Sequence, residues 1–403
     1  MEATAVFDPW SPEFVADPYP GFARLREAGP VHWFEPSRQW LVPRHADVRA
    51  LLRDRRLGRT YLHRFSHEEF GRTPPPPEHE PFHVLNGHGL LDLEPPDHTR
   101  IRRLVSTAFT PRTVEELAPT VRRLARERVD ALLAEGGGDL MATVAEPLPV
   151  AVIGEMLGIP AADRGLLRPW SADICRMYEL NPDEESARRA VRASVEFSDY
   201  LRGLIAHRRT HPGDDLISAL IAAHDEGNRL TGQEMVSTCV LLLNAGHEAT
   251  VKTVGNGWWA LFRDPGQLAA LRADHTLLPG AVEELMRYDT PLQLFERWVL
   301  DDIEIGGTRI PRGSEVALLF GSANHDPAAF AAPDRLDLTR ADNPHVSLGA
   351  GIHYCLGAPL ARLELAAVFG ELLRRAPRMR LLAEPEREGG FVMRGVRGLL
   401  VEC

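Results

Sequence analysis

The sequence predicts a mainly helical fold with a minor β region, on three observations. Residues 231–263 form one long apolar stretch, opened by the capping pair Thr231 and Glu234 and stopped by Asp264-Pro265-Gly266. Helical periodicity also dominates from Asp97 to about Ile221, with breaks at Gly136-Gly137-Gly138 and Pro212-Gly213. Strand patterns are short, as in Val31-His32-Trp33-Phe34 and in residues 303–310, where Gly306-Gly307 marks a hairpin turn.

Taken in order, residues 17–60 mix short helical and strand-like pieces. Residues 60–97 read as loop, with Pro74 to Pro77 consecutive and a further pair at Pro95-Pro96. A loop of that length is either disordered or a functional lid. The stretch 231–263 predicts a helix of about 48 Å at 1.5 Å per residue, long enough to cross the molecule. Its middle reads Leu241-Leu242-Leu243-Asn244-Ala245-Gly246-His247-Glu248-Ala249-Thr250. The two small residues there let something approach the backbone closely. A glycine-rich loop, 345–357, precedes a last helix over about 358–375. With no internal repeat and no low-complexity linker, residues 1–403 are expected to form one domain.

The composition excludes several function classes. Hydrophobic residues are 44% and charged residues 26%, which fits a globular chain and not a disordered one. A net charge of −11 argues against nucleic acid or an anionic membrane as the main partner. No apolar run approaches the ~18 residues of a membrane span, and the first residues lack the basic and apolar segments of a leader. A cytoplasmic protein with reduced thiols is expected. Its four cysteines, Cys175, Cys239, Cys355 and Cys403, lie far apart in sequence. Lys252 is the one lysine among 46 basic residues.

Two motifs are set aside. His79-Glu80-Pro81-Phe82-His83 fits the zinc-protease pattern, but that chemistry needs both histidines on one helix face. Pro81 inside the motif and the prolines before it predict a polar loop instead. Gly349-Ala350-Gly351 is a weak dinucleotide signal, because the third glycine would fall at Tyr354 and no βαβ unit surrounds it.

The informative segment runs from Leu348 to Arg362: Leu-Gly-Ala-Gly-Ile-His-Tyr-Cys-Leu-Gly-Ala-Pro-Leu-Ala-Arg. Its three glycines make a loop able to lie flat against a large planar group. Cys355 sits just before a helix start, where free N–H groups and the helix dipole stabilise a thiolate. One thiolate without a second protein ligand nearby suits a cofactor that brings its own in-plane ligands, and haem is that cofactor.

That segment resembles the haem-ligand signature of the cytochrome P450 superfamily. The resemblance implies a triangular helical haem domain with a long central helix. It implies haem b, with Cys355 as the proximal ligand to iron, cradled by Leu348 and Gly349. Leu348 stands where the family usually has phenylalanine. His353, His98, Arg102 and Arg297 are implied as propionate contacts. Glu284 and Arg287 resemble the family's E-x-x-R pair, whose third partner is placed at Arg335. Ala245-Gly246-His247-Glu248-Ala249-Thr250 resembles the oxygen-activating stretch over the haem. There Ala245 and Gly246 would leave room for dioxygen and Glu248 would belong to a proton relay. Ala249 replaces the family's usual alcohol. Thr250, rotated by ~100° about the helix axis, cannot simply substitute for it. Water or a substrate hydroxyl is left to complete the relay.

Carried over by position, Leu242, Ala245, Ala249, Gln293, Leu294, Phe295, Phe391 and Val392 should face the substrate. Parts of 61–93 and 170–195 should form the lid. The resemblance implies a haem-thiolate monooxygenase that oxidises a small organic, specialised-metabolite substrate with O2. No flavin, iron–sulfur or NAD(P)H module is found in the sequence, so NAD(P)H-derived electrons would come from a separate ferredoxin (or flavodoxin) and its reductase. An arginine-bearing surface including Arg103 and Arg112 would dock that partner. The alternatives are oxidative coupling or dehydrogenation, a peroxide-driven peroxygenase and, outside enzymology, a haem-thiolate sensor.

Overall fold

Thr231 opens the longest element as its sequence requires. The Thr231 hydroxyl accepts from the Glu234 N–H at 3.2 Å, and the Glu234 carboxylate accepts from the Thr231 N–H at 2.8 Å. Two donors that a helix start leaves unpaired are thereby satisfied. The central helix then runs Gly232–Arg263 and ends at Asp264. In this computed structural model, residues 6–224 and 227–403 are described. Residues 1–5, part of the segment with no leader pattern, lie outside them.

The structure is 54% helical, in agreement with the sequence. Helices Pro111–Ala134, Pro147–Met156, Glu184–Thr210, Leu278–Tyr288 and Ala358–Arg375 surround the central one. Trp258 of the central helix is fully buried and stacks on Phe369 of the last helix, with ring centroids 5.4 Å apart. One large apolar cluster joins these helices, so the central helix is the spine of the core.

The strands, in chain order, are β1 (His32–Phe34), β2 (Gln39–Val42), β3 (Leu57–Gly58), β4 (Gly137–Asp139), β5 (Phe295–Val299), β6 (Ile303–Ile305), β7 (Thr308–Ile310), β8 (Glu315–Leu318), β9 (Arg380–Leu381) and β10 (Leu400–Glu402). The largest sheet has the order β1-β2-β8-β5-β3, with β2 and β8 parallel. Register pairs Phe295 with Leu318 and Arg297 with Val316, so Phe295 and Arg297 share one face of β5. The β6–β7 hairpin turns at Gly306 and Gly307, both at positive φ, as a two-residue primed turn demands.

Two expectations are corrected. Residues 60–97 are not all loop: a 3₁₀ turn at Pro77–His79 leads into a helix, Glu80–Gly87. Pro81 lies in the first turn, where its missing N–H costs nothing, so it starts the helix rather than breaking it. His79 and His83 are 6.4 Å apart between ring centroids, yet no group of three or more His, Cys, Asp or Glu among the described residues could hold a metal ion. Likewise the run Gly136-Gly137-Gly138 is more than a break. Gly137 and Gly138 enter β4 and pair with β10, and a Cβ on Gly137 would lie 2.2 Å from the Val401 carbonyl oxygen. Among the described residues, no helix is long and apolar enough to cross a membrane.

Candidate functional site

The glycine-rich loop folds back on itself at Gly349 and Gly351, both with φ near +70°. A side chain on Gly351 would meet the Leu52 carbonyl oxygen at 2.4 Å, so glycine is required there. The Cys355 N–H donates to the Leu348 carbonyl at 3.0 Å, and Cys355 stands three residues before the last helix. Burial pushes its thiol pKa up. The Gly357 N–H, Arg102 and Arg362 pull it back without cancelling the rise. The helix start alone therefore does not make Cys355 a free thiolate, and a bound cation would have to complete that stabilisation.

Around the cysteine, three separate segments deliver four donors to one place. His98 and Arg102 come from helix Asp97–Ala108, Arg297 from β5, and His353 from the loop itself. The His98 and His353 rings lie 4.5 Å apart, and Arg102 donates to the Tyr354 carbonyl at 2.8 Å. His98 Nε2 and Arg297 Nη2 are buried with no partner. Orphaned buried donors of this kind are costly and call for an acceptor, and the carboxylates of haem are acceptors of the right chemistry. Burial, then the charges of His353 and Arg102, pushes the His98 pKa down to about 4. Burial and neighbouring Arg59 likewise bring Arg297 down to about 9.

The sequence does not reveal Arg59 and Glu94, which complete this cradle. Arg59 pairs with Asp92 at 2.8 Å, and both Arg59 and Arg297 lie over the Phe295 ring, at 4.3 and 4.6 Å. Glu94 accepts from the Arg59 N–H at 2.7 Å and sits 3.1 Å from His353 Nε2. The signal that could have found Arg59 is slight, one arginine in an arginine-rich chain.

The middle of the central helix shows an unusual face. Leu242, Glu248 and Ala249 are half-buried and Ala245 is exposed, although most of this helix is buried. That open face is the space a planar cofactor and dioxygen would need. The two small residues split their roles. Ala245 faces the opening, whereas a Cβ on Gly246 would meet Ile153 at 2.8 Å, so Gly246 serves packing and not oxygen access. Thr250 is buried, and it is Thr253 whose hydroxyl donates to the Ala249 carbonyl at 2.8 Å. Glu248 lies 3.4 Å from Lys252 Nζ, and the same buried ammonium pairs with Glu388. Burial opposes the charge on Lys252, but Glu248 and Glu388 outweigh it and raise its pKa.

The family model for cytochrome P450 matches residues 171–376. The cytochrome P450 monooxygenase PikC of Streptomyces venezuelae is 42% identical over 394 residues, covering 96% of this chain and 90% of its own length. The chain belongs to the cytochrome P450 family. The 6-deoxyerythronolide B hydroxylase of Saccharopolyspora erythraea is 39% identical, over 94% of this chain and 93% of its own. A solved structure of P450BioI, in complex with an acyl carrier protein, matches with a TM-score of 0.90 at 34% identity, covering 98% of this chain and 100% of that one. As a P450 the chain is an oxidoreductase of the monooxygenase type, which works with haem iron and dioxygen.

Within the P450 frame, the E-x-x-R pair is buried as expected but its third partner is not Arg335. Glu284 and Arg287 are fully buried and joined by two 2.8 Å bonds. Arg340 closes the group, with Nε 3.1 Å from Glu284 Oε2. Arg335 is exposed and contributes its backbone carbonyl alone, to Arg287 and Arg340. The loop after Pro333 turns so that Arg340, five positions after Arg335, reaches inward.

Several of the residues assigned to the substrate pack among the protein's own side chains. Leu294, Phe391 and Val392 are buried in an aromatic cluster with Phe7, Phe22 and Phe34 beneath the N-terminal segment. Gln293 presses its amide against Gly321, where a Cβ would meet Oε1 at 2.1 Å, and donates to the Thr290 carbonyl at 2.7 Å. Leu294, Phe391 and Val392 tie the sheet to the N-terminal segment, and Gln293 packs against Gly321. Phe295 stays at the cradle, in contact with Arg59 and Arg297. The bridge Leu292–Met393, both half-buried, was missed.

Proposed function

We propose that this P450 oxidises a specialised-metabolite substrate, with haem b held through Cys355 and electrons drawn from NAD(P)H through a separate ferredoxin or flavodoxin and its reductase. The observation that carries the reading is the pair of orphaned donors, His98 Nε2 and Arg297 Nη2, buried beside the glycine-cradled Cys355. When bound, haem supplies the iron at which dioxygen is activated, and a thiolate ligand pushes electron density toward the O–O bond. His98, Arg102, Arg297 and His353 would hold the propionates, Arg59 would steady the Phe295 wall, and the 61–93 and 170–195 segments would cover the substrate.

Glu248 holds its carboxylate at the edge of the open helix face, 3.4 Å from Lys252 Nζ. Ala249 has no hydroxyl, and the Thr253 hydroxyl is committed to the Ala249 carbonyl. Proton transfer needs a donor within ~2.6–3.2 Å, directly or through one water. We assign that donor to water or to a hydroxyl of the substrate itself. The two rivals kept from the sequence differ in their needs: a peroxygenase turns over with peroxide alone, and a sensor yields no product.

The test is spectroscopic. Reduced protein with carbon monoxide should show the strongly red-shifted Soret band of thiolate-ligated haem. Cys355→Ala should lose it, while Cys175→Ala, Cys239→Ala and Cys403→Ala keep it. Retention of the band in Cys355→Ala overturns the assignment.

A further inference from the structure

Lys252, the one lysine of the chain, stands between two carboxylates. Glu248 lies one turn earlier in the central helix, with Oε2 3.4 Å from Lys252 Nζ. That is the i,i+4 spacing at which Glu and Lys meet on a helix surface. Glu388 comes from far along the chain and accepts a hydrogen bond from the same ammonium. Residues 386–397 form a hairpin: the Glu388 N–H donates to the Gly395 carbonyl at 3.1 Å, the Arg397 N–H donates to the Glu386 carbonyl at 2.9 Å, and Arg387 bridges Val396. This hairpin grips Lys252 twice. Glu388 takes the head, and Gly395 lies so close to the stem that a Cβ there would meet Lys252 Cγ at 2.8 Å. Side-chain exposure is 38% at Glu388, 6% at Lys252 and 18% at Glu248, so the ammonium is the fixed member and the Glu248 carboxylate has room to turn. His247 Nδ1 lies 3.6 Å from the other Glu248 oxygen, but burial lowers its pKa and works against a charge on it.

Two carboxylates compete for one ammonium here, so whatever hold Glu388 takes, Glu248 is partly released from. We propose that Lys252 and Glu388 are positioning residues for proton delivery. Lys252 restrains the Glu248 carboxylate, and Glu388, by taking the ammonium's hydrogen bond, leaves Glu248 free to turn toward the open face at Ala245 and Ala249. The inference rests on the P450 reading above and adds to it two residues outside the 245–250 stretch.

The single lysine makes the sharing directly readable. Enzyme grown on lysine labelled with carbon-13 at Cε gives one side-chain signal, recorded in the reduced, carbon monoxide-bound, haem-loaded form. That signal should move in Glu388→Gln and also in Glu248→Gln. A signal that ignores Glu248→Gln overturns the proposal. Function is read without added ligand, from NADPH, dioxygen and a surrogate ferredoxin with its reductase. Dioxygen then takes two electrons and two protons to peroxide, or four of each to two waters, and prompt proton delivery favours water. Glu388→Gln should lower the ratio of water to peroxide about two- to fivefold, the weight of one partly exposed ion pair. In a Lys252→Met background the same change should do nothing, because no ammonium is left for Glu388 to draw off. No drop in the first case, or an equal drop in the second, overturns the proposal. The lysine signal decides even where Lys252→Met loads no haem. The carbon monoxide band of the same samples reports separately on the haem-thiolate reading. A wild type with the band, whose ratio Glu388→Gln leaves unchanged, loses this inference alone.

Discussion

Arg340 shows how far one residue can be from where spacing puts it. Glu284 accepts from Arg287, Arg340, Asn343 and the Asp337 N–H, all within 3.1 Å and out of solvent. Removing Arg340 takes away a charged donor that the buried Glu284 carboxylate relies on, at about 1–3 kcal/mol. Arg340→Ala should therefore melt well below wild type and retain little haem. Arg335→Ala should stay within about 0.5 kcal/mol of wild type, since the mutation keeps the carbonyl. Equal melting of the two variants would return the role to Arg335. Ala249 allows a second test at this scale. Ala249→Thr adds a hydroxyl where proton delivery has none, so it should raise product formed per NAD(P)H consumed for ligands without a nearby hydroxyl. If coupling is unchanged for all ligands, the relay does not pass this position.

Among elements, the sequence is most legible where local chemistry decides. The capping box at Thr231, the Gly306-Gly307 turn and the last helix all stand as read, because each depends on neighbours within a few residues. Pro81 misled because its effect depends on position: inside a helix it breaks, in the first turn it starts. Gly246 misled because smallness looks the same whether it makes room for a ligand or for a neighbouring helix. The structure separates the two. A methyl at 246 meets Ile153 Cδ1 at 2.8 Å, the end of a flexible side chain. Gly246→Ala should cost about 1–3 kcal/mol by overpacking. Adding Ile153→Val should recover most of it, as read from thermal melting. If the double variant recovers stability but dioxygen consumption stays low, the glycine also serves oxygen access.

Across the whole molecule, one network ties together parts of the chain that no spacing could connect. Asp289 follows helix Leu278–Tyr288 and is bonded by Tyr19 at 2.7 Å, Arg387 at 2.6 Å and Arg394 at 2.7 Å. Arg394 also reaches the Val15 and Ala16 carbonyls, and Asn256 of the central helix donates to the carbonyls of Asp289 and Arg394. Chain start, central helix and chain end meet there, away from the cradle, and in sequence these residues look like ordinary charges. Burial alone would raise the Asp289 pKa, but Arg387 and Arg394 outweigh it and hold the carboxyl well below its ordinary value. A carboxyl lowered in the folded state adds stability above its unfolded pKa of ~3.9, and that stability is lost as pH falls through the lower folded value. Asp289→Asn should thus be destabilised at pH 7 by about 3–5 kcal/mol, since two buried arginines lose their partner. The deficit should shrink as the pH is taken from 5 to 3, because wild type loses its advantage there and the amide has none to lose. Chemical denaturation of both proteins at pH 7, 5 and 3 measures the difference. Denaturation midpoints that stay equally far apart at all three would show that the arginines are satisfied without this carboxylate.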